Sequence, residues 1–385
     1  MNSPCFILEH LYVIILQDFG KKIKKWNNNM LEELTSLQSF YEKARTLVSA
    51  DVFSFIDGGS LDELAVKRNR QHLNDIRLVP RVLRGLGEIS AQTQIFGHNL
   101  STPVLIAPSA YHGLLSPKGE LDMLEAANQF NTIMILSMFA SVDHILVAQN
   151  KKGPLWLQMY FLQDRSINKN FIQMAQDNHF DALVVTVDAP VYAKKERECA
   201  QPLKFPDNTS FAHLERLGIP INQCLKTKKH LSTLLDHQIS WDDLDWLAQE
   251  TQLPIILKGI LDPRDTEIAL GYPNVKGIII SNHGGRQLDS SCTAVEIMKE
   301  HKQVVGDKVK LFLDGGIARG SDVFKALALG ADATLIGRAA LWALAAGGSK
   351  GVFHALSILQ RELIETMILC GCASTKDITS DFIKL

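Results

Sequence analysis

Excess charge of either sign is missing from this chain. Across 385 residues, 40 Lys and Arg stand against 42 Asp and Glu, for a formal net charge of -2. So balanced a chain has no standing attraction to polyphosphate, which argues against a dedicated nucleic-acid partner. Cysteine is sparse as well: the six (Cys5, Cys199, Cys224, Cys292, Cys370, Cys372) show neither zinc-ribbon pairing nor a secreted disulfide framework. Cys370-Gly-Cys372 lacks the two-residue gap of a thioredoxin-like pair. Scattered free thiols fit a reducing compartment, and a cytoplasmic protein is expected. No His-x-His, Cys-x-x-Cys or His-Glu-x-x-His pattern occurs, so metal chemistry has little support.

Long hydrophobic runs are absent too. Phe6–Leu16 is apolar but contains Glu9 and His10 and is too short to span a bilayer. Its basic cluster, Lys21–Lys25, follows the apolar part, whereas a signal peptide carries its charge before it. Two readings of this stretch stay open: a peripheral membrane helix, or an extension foreign to the domain that begins near Met30. No integral membrane segment is expected.

What the chain does have is rhythm. Leu31, Leu34, Leu37, Phe40 and Tyr41 recur at helical spacing, and Val52, Phe53, Phe55 and Ile56 precede Asp57-Gly58-Gly59-Ser60. Residues 76–100 read as a short hairpin region covering one end of the main body. Strand-length apolar runs then recur at Val104–Ala107, Thr132–Leu136, Leu155–Tyr160, Ala182–Val187, Pro254–Leu257, Val275–Ile280, Val309–Leu313 and Ala333–Ile336. Helical stretches such as Gly119–Phe130, Asn168–His179 and Asp322–Leu329 lie between them. Runs without strict alternation suit a parallel sheet buried on both faces, and eight units favour a closed barrel. The expected fold is therefore α/β: a (β/α)8 TIM barrel with N-terminal helices and a long loop after strand four. Its expected layout is an extension (1–29), helices and barrel cover (30–100) and the barrel (101–385), with the long loop at 198–240.

A barrel enzyme builds its site at the C-terminal strand ends. Here the runs end in Pro108-Ser109-Ala110, Ser137, Gln158 with Tyr160, Thr186 with Asp188, Lys258, Ser281 with His283 and Arg286, Asp314-Gly315-Gly316, and Gly337-Arg338. A lone Gln or Thr at a strand end is usually a satisfied hydrogen-bonder, but eight polar or glycine-bearing ends on one rim imply a site. The glycines after runs seven and eight, with Arg319 and Arg338, suit a phosphate-bearing cofactor or substrate. Lys258 suits a charge role, Asp188 can orient the His283 imidazole, and Arg286 and Tyr160 can hold a carboxylate and a hydroxyl.

With those residues in view, the chain resembles the FMN-dependent 2-hydroxy acid oxidase and dehydrogenase family, which includes glycolate oxidase, lactate oxidase and mandelate-type enzymes. The segment Ser281-Asn282-His283-Gly284-Gly285-Arg286-Gln287-Leu288-Asp289 carries most of the likeness. Ile106–Ala110, Leu157–Tyr160, Thr186–Pro190, Leu257–Gly259, Asp314–Gly320 and Ile336–Arg338 support it. The resemblance implies FMN as cofactor and oxidation of an (S)-2-hydroxy acid to the 2-oxo acid. It implies His283 as the base assisted by Asp188, Arg286 on the substrate carboxylate, Tyr160 on the hydroxyl, and Lys258 beside the flavin. Ser137, Gln158, Thr186 and Ser281 would bond the flavin, Pro108, Ser109 and Ala110 would line it, and Asp314, Gly315, Gly316, Arg319, Gly337 and Arg338 would hold its phosphate. A homo-tetramer is the family's frequent assembly.

The chain departs from that pattern at three places. Phe55 stands where the family has a tyrosine on the substrate carboxylate, Lys195 where it has an arginine, and Ala318 where the phosphate loop has an arginine. Each lost charge-assisted hydrogen bond costs about 1.5–3 kcal/mol. Ala110 favours oxygen as acceptor over a quinone or cytochrome. The two alternatives are a lactate-type dehydrogenase serving such a carrier and a catalytically impaired flavin-binding protein.

Overall fold

The computed structural model describes residues 29–206, 211–219 and 234–385. The chain divides into two compact units, Met1–Thr35 and Ser36–Leu385. Of the first, the described part holds one short helix, Asn29–Glu32. The membrane-helix reading of Phe6–Leu16 lies outside the described residues, as do 207–210 and 220–233 of the long loop.

Within Ser36–Leu385, eight parallel strands close into a barrel: β1 (Val104–Ile106), β2 (Met134–Leu136), β3 (Leu155–Met159), β4 (Ala182–Thr186), β5 (Ile255–Ile260), β6 (Val275–Ile280), β7 (Lys310–Asp314) and β8 (Ala333–Ile336). β8 pairs back onto β1 through Leu335↔Leu105. The eight runs read from the sequence are these eight strands, two with identical bounds and the others with an end shifted by up to three residues. The largest shift is at β5, which continues through Lys258 to Ile260 with a register shift across Gly259. A bulge of this kind re-aims the residues beside it.

The barrel is a packed core. Leu105, Ile135, Trp156, Val184, Ile256, Ile279, Phe312 and Leu335 form one buried cluster, with Trp156 and Phe312 edge to face at 5.8 Å. At the N-terminal end the hairpin Thr93–Ile95/His98–Leu100 pushes Ile95 and Leu100 into the same cluster. The hairpin falls within residues 76–100.

Within Ser36–Leu385 three helices precede the barrel: α1 (Leu37–Leu47), α2 (Ala50–Asp57) and α3 (Leu64–Asp75). α1 begins at a Ser36 capping box and buries Leu37, Phe40 and Ala44 on one stripe. Its main partner is α5 (Arg338–Cys370), a 33-residue helix broken at Gly347–Gly348 and not read from the sequence. α4 (Gly320–Ala328) follows β7 and also packs on α5. In the long β4–β5 connection, the described part contains two single-turn helices, Glu196–Ala200 and Ala212–Arg216.

Candidate active site

The strand alternation that buries the core also builds the site. Side chains on a strand point to the same side every second residue. Moving two residues beyond the apolar layer gives Ser137 after Ile135, Gln158 after Trp156, Thr186 after Val184, Lys258 after Ile256, Ser281 after Ile279 and Asp314 after Phe312. These six are buried and joined in two chains. Ser137 Oγ donates to Gln158 Oε1 (3.4 Å), whose Nε2 donates to Thr186 Oγ1 (3.0 Å). Lys258 Nζ donates to Ser281 Oγ (3.0 Å), and Ser281 Oγ donates to Asp314 Oδ2 (2.8 Å), which also lies 2.9 Å from Lys258 Nζ.

Burial alone would neutralise Lys258. The Asp314 charge, then that of Asp188, outweighs it and raises the ammonium above its ordinary value. Burial likewise disfavours the Asp314 carboxylate, and Lys258 more than offsets it, lowering its pKa. The pair is a buried cation and anion at one edge of the cavity.

One layer further out, just past the strand ends, stand Tyr160, Asp188 and His283. His283 Nδ1 lies 2.9 Å from Asp188 Oδ1, and its backbone N–H donates to Ser281 Oγ at 3.0 Å. His283 is held at φ 58°, a left-handed conformation that a non-glycine residue adopts at a cost. Gly259 makes room for this dyad: at φ 109°, a Cβ there would stand 2.4 Å from Asp188 Cγ. Burial, then the neighbouring Asp188 charge, pushes the Tyr160 phenol far above its ordinary range, so it stays a neutral donor.

Arg286 is the third functional group beside the dyad. Its Nη1 donates to the carbonyls of Phe55 (2.8 Å) and Gly58 (2.7 Å), and its guanidinium sits 5.5 Å from the Phe55 ring centre. Phe55 thus positions Arg286 through its backbone and ring face, although it has no hydroxyl to offer. Lys195 is buried, with Nζ 3.6 Å from the Tyr192 ring centre and donating to Ala193 O at 3.1 Å. Tyr111, Phe139 and Phe55 form an aromatic wall: Tyr111 lies 5.9 Å from Phe55 and 6.5 Å from Phe139, and Phe139 lies 5.8 Å from Tyr160.

A cavity of about 760 Å³ runs through the site. Of the residues singled out in the sequence, all line it except Asp188 and Ser281, which stand behind His283 and Lys258 and act through them. Pro108, Ser109 and Ala110 form part of its wall, and Gly315, Gly316, Arg319, Gly337 and Arg338 lie toward its far end. Gly316 has to be glycine: at φ 80°, a Cβ would meet the Asn69 carbonyl oxygen at 2.4 Å.

The far end differs from expectation in how its cations are used. Arg319 Nη1 is paired with Glu362 at 2.8 Å. Arg338 donates to the carbonyls of Asp57 (2.9 Å), Gly58 (3.0 Å) and Gly284 (2.7 Å), and burial, with Arg286 nearby, pulls its pKa down to about 10. The helix N-terminus after β7 is also committed: Asp322 accepts from the N–H of Ala318 and Arg319, and Glu362 from that of Gly320. A helix end so capped has little capacity left for an anion. Among the described residues, no protein acceptor meets the backbone N–H of Gly315, Gly316 or Gly337, so the anion-binding capacity rests on those loops.

Sequence reading overlooked Gly259 as the residue that admits Asp188, and Glu198, Tyr192, Asn69 and Asn282 as supports. Asn69 and Asn282 exchange side-chain amide bonds of 2.9 Å across 213 residues, a pairing with no local signal. Glu198 follows Lys195, the N-cap of its short helix, at i+3.

A family model described as FMN-dependent dehydrogenase matches residues 44–385. The chain is similar to a 2-hydroxyacid oxidase of Dictyostelium discoideum, 39% identical over 357 residues covering 92% of this chain and 91% of that protein. It is similar also to an L-lactate oxidase of Nostoc sp., 37% identical over 360 residues, 91% of this chain and 98% of that one. Among solved structures, mandelate oxidase superposes with a TM-score of 0.83 at 32% identity, covering 91% of this chain and 98% of that one.

Proposed function

The chain belongs to the FMN-dependent dehydrogenase family, and on that premise we propose how its residues divide the work of the reaction. The protein is an oxidoreductase that oxidises 2-hydroxy acids with FMN as cofactor. The arrangement that carries the reading of the site is the His283–Asp188 dyad beside Arg286 in a cavity edged by the Lys258–Asp314 pair.

The cavity's own chemistry fits FMN. The hydroxyl–amide chain Ser137–Gln158–Thr186 matches the alternating donors and acceptors of a flavin edge, and the buried Lys258 ammonium suits a ring that gains negative charge. The backbone N–H groups at Gly315–Gly316 and Gly337 suit a phosphate, with Arg338 and Arg319 nearby and Ala318 supplying no charge. Pro108, Ser109 and Ala110 would cover one ring face. When bound, FMN supplies the two-electron acceptor.

The remaining work belongs to side chains of this protein. Arg286, with Nη1 spent on carbonyls, presents its other nitrogens to the substrate carboxylate, and Lys195 adds charge to that end. Tyr160 donates its phenol proton to the substrate's oxygen. Asp188 holds His283 at Nδ1, which leaves Nε2 as the atom that takes the substrate's proton. Asp188 also stabilises the imidazolium that results. Phe55, Tyr111 and Phe139 face the substrate's side chain, and oxygen is the proposed electron acceptor, with hydrogen peroxide as its product.

Holoenzyme reduced anaerobically by a panel of 2-hydroxy acids tests this reading. Bleaching of the yellow chromophore is expected, with kcat/KM at least tenfold higher for 3-phenyllactate than for glycolate, because burying a ring against the aromatic wall is worth about 1.5–3 kcal/mol. Purified protein that cannot be loaded with FMN would defeat the cofactor assignment, and glycolate matching phenyllactate would defeat the wall's role. A second variant checks the dyad. Gly259→Ala is expected to slow flavin reduction about 100-fold, since a Cβ 2.4 Å from Asp188 Cγ must displace that carboxylate. Near-normal reduction by a folded Gly259→Ala holoenzyme would show that Asp188 needs no such placement.

A further inference from the structure

We propose that Glu198 is a built-in counter-charge to Arg286 that sets how tightly the site holds a substrate carboxylate; this rests on the reading of Arg286 given above. Glu198 sits on the single-turn helix Glu196–Ala200, its side chain only 3% exposed. Its Oε1 lies 3.6 Å from Arg286 Nη2, and its Oε2 accepts the Tyr192 hydroxyl at 2.6 Å. Tyr192 in turn lies under the Lys195 ammonium. One buried carboxylate is therefore wired to both cations of the carboxylate clamp, directly to Arg286 and through a phenol to Lys195.

The charge arithmetic has a direction. Arg286 spends Nη1 on two backbone carbonyls, so a ligand carboxylate has to use the nitrogens on the side that Glu198 already neutralises. In this poorly solvated setting a second anion arriving near Glu198 is repelled by it, and the attraction of Arg286 is partly spent before the ligand enters. Glu198 keeps an unliganded, partly buried Arg286 from standing without a counter-charge, and in exchange weakens the grip on substrate and product. It is a positioning residue: it acts on the ligand through Arg286 and does not line the cavity. A residue that only propped up the helix would, when replaced, weaken ligand binding. A counter-charge, when neutralised, should strengthen it.

Oxidised holoenzyme titrated with phenylpyruvate, a carboxylate with no hydroxyl to oxidise, reads this through the flavin absorbance. Glu198→Gln keeps the shape and an oxygen for Tyr192 but removes the charge, and its Kd is expected about tenfold below that of the parent. Glu198→Asp, which keeps the charge, is expected within threefold of the parent. An unchanged or higher Kd in the Gln variant, or an equal fall in the Asp variant, overturns the proposal. Should the Gln variant fail to fold or to hold FMN, Tyr192→Phe decides, because it withdraws the phenol proton from the Glu198 carboxylate and leaves more of its charge to act on Arg286. Its Kd is expected severalfold higher, and an unchanged or lower value counts against the counter-charge. Arg286→Met separates the two readings. Parent protein that binds phenylpyruvate, with binding lost in the Met variant, leaves the carboxylate site standing even if the Glu198 variants contradict the counter-charge. Parent protein that binds no carboxylate and is reduced by no 2-hydroxy acid fails at the functional reading itself.

Discussion

Replacing His283 by asparagine should slow flavin reduction by a 2-hydroxy acid about 10²- to 10⁴-fold, the range of a general base removed from its transition state. Asparagine is the informative choice because the position has φ 58°, a conformation asparagine tolerates better than most residues. Backbone strain is thereby held nearly constant while the proton acceptor is lost. Asp188 remains, but Oδ1 faces the position of Nδ1 and has no proton relay in front of it. Ligand carboxylates should still bind, since Arg286 keeps its anchors on Phe55 and Gly58. Rapid-mixing reduction under anaerobic conditions measures the effect. A rate within tenfold of the parent would remove His283 from the role of base and return the question to Tyr160.

Lys258→Met is expected to have the largest effect on the protein as a folded object. It removes one member of a buried ion pair and leaves the Asp314 carboxylate without its main counter-charge. Deleting one partner of such a pair typically costs about 3–5 kcal/mol, because the remaining charge is stranded away from water. The variant should melt several degrees lower and retain FMN poorly, both readable from a thermal scan that follows released flavin fluorescence. Adding Asp314→Asn removes the stranded charge, so the double variant should recover much of the melting temperature while remaining deficient in flavin reduction. A double variant no more stable than Lys258→Met alone would mean that the ion pair is not what the single substitution disturbs. The two measurements separate a structural cost from a chemical one at the same residue.

Much of this architecture could be read from the chain because strand physics is local. A β-strand shows the same face every second residue, so the step from Trp156 to Gln158, or from Ile279 to Ser281, can be written down before any fold is known. Eight apolar runs of strand length then imply a barrel, and a barrel implies a rim. Less was legible where partners are distant. Spacing along the chain assigns Arg319 and Arg338 to a phosphate but does not show that one pairs with Glu362, or that the other donates to two carbonyls of the N-terminal segment and to that of Gly284. It predicts a helix dipole after strand seven, and Asp322 and Glu362 already cap that helix. Phe55 looked like a pure loss, yet its carbonyl and ring hold Arg286 in place.

The division follows from the range of the forces. Which residue types reach the rim, and in what order around it, follows from covalent spacing along each strand and is written into the chain. Which of those groups share a proton or a charge is set by barrel closure and by the helices laid across the rim. These bring Asp188 to His283 over 95 residues and Lys258 to within 2.9 Å of Asp314. A counter-charge such as Glu198 has no periodicity that marks it. Its effect on Arg286 exists because folding places the two together with little water to screen them.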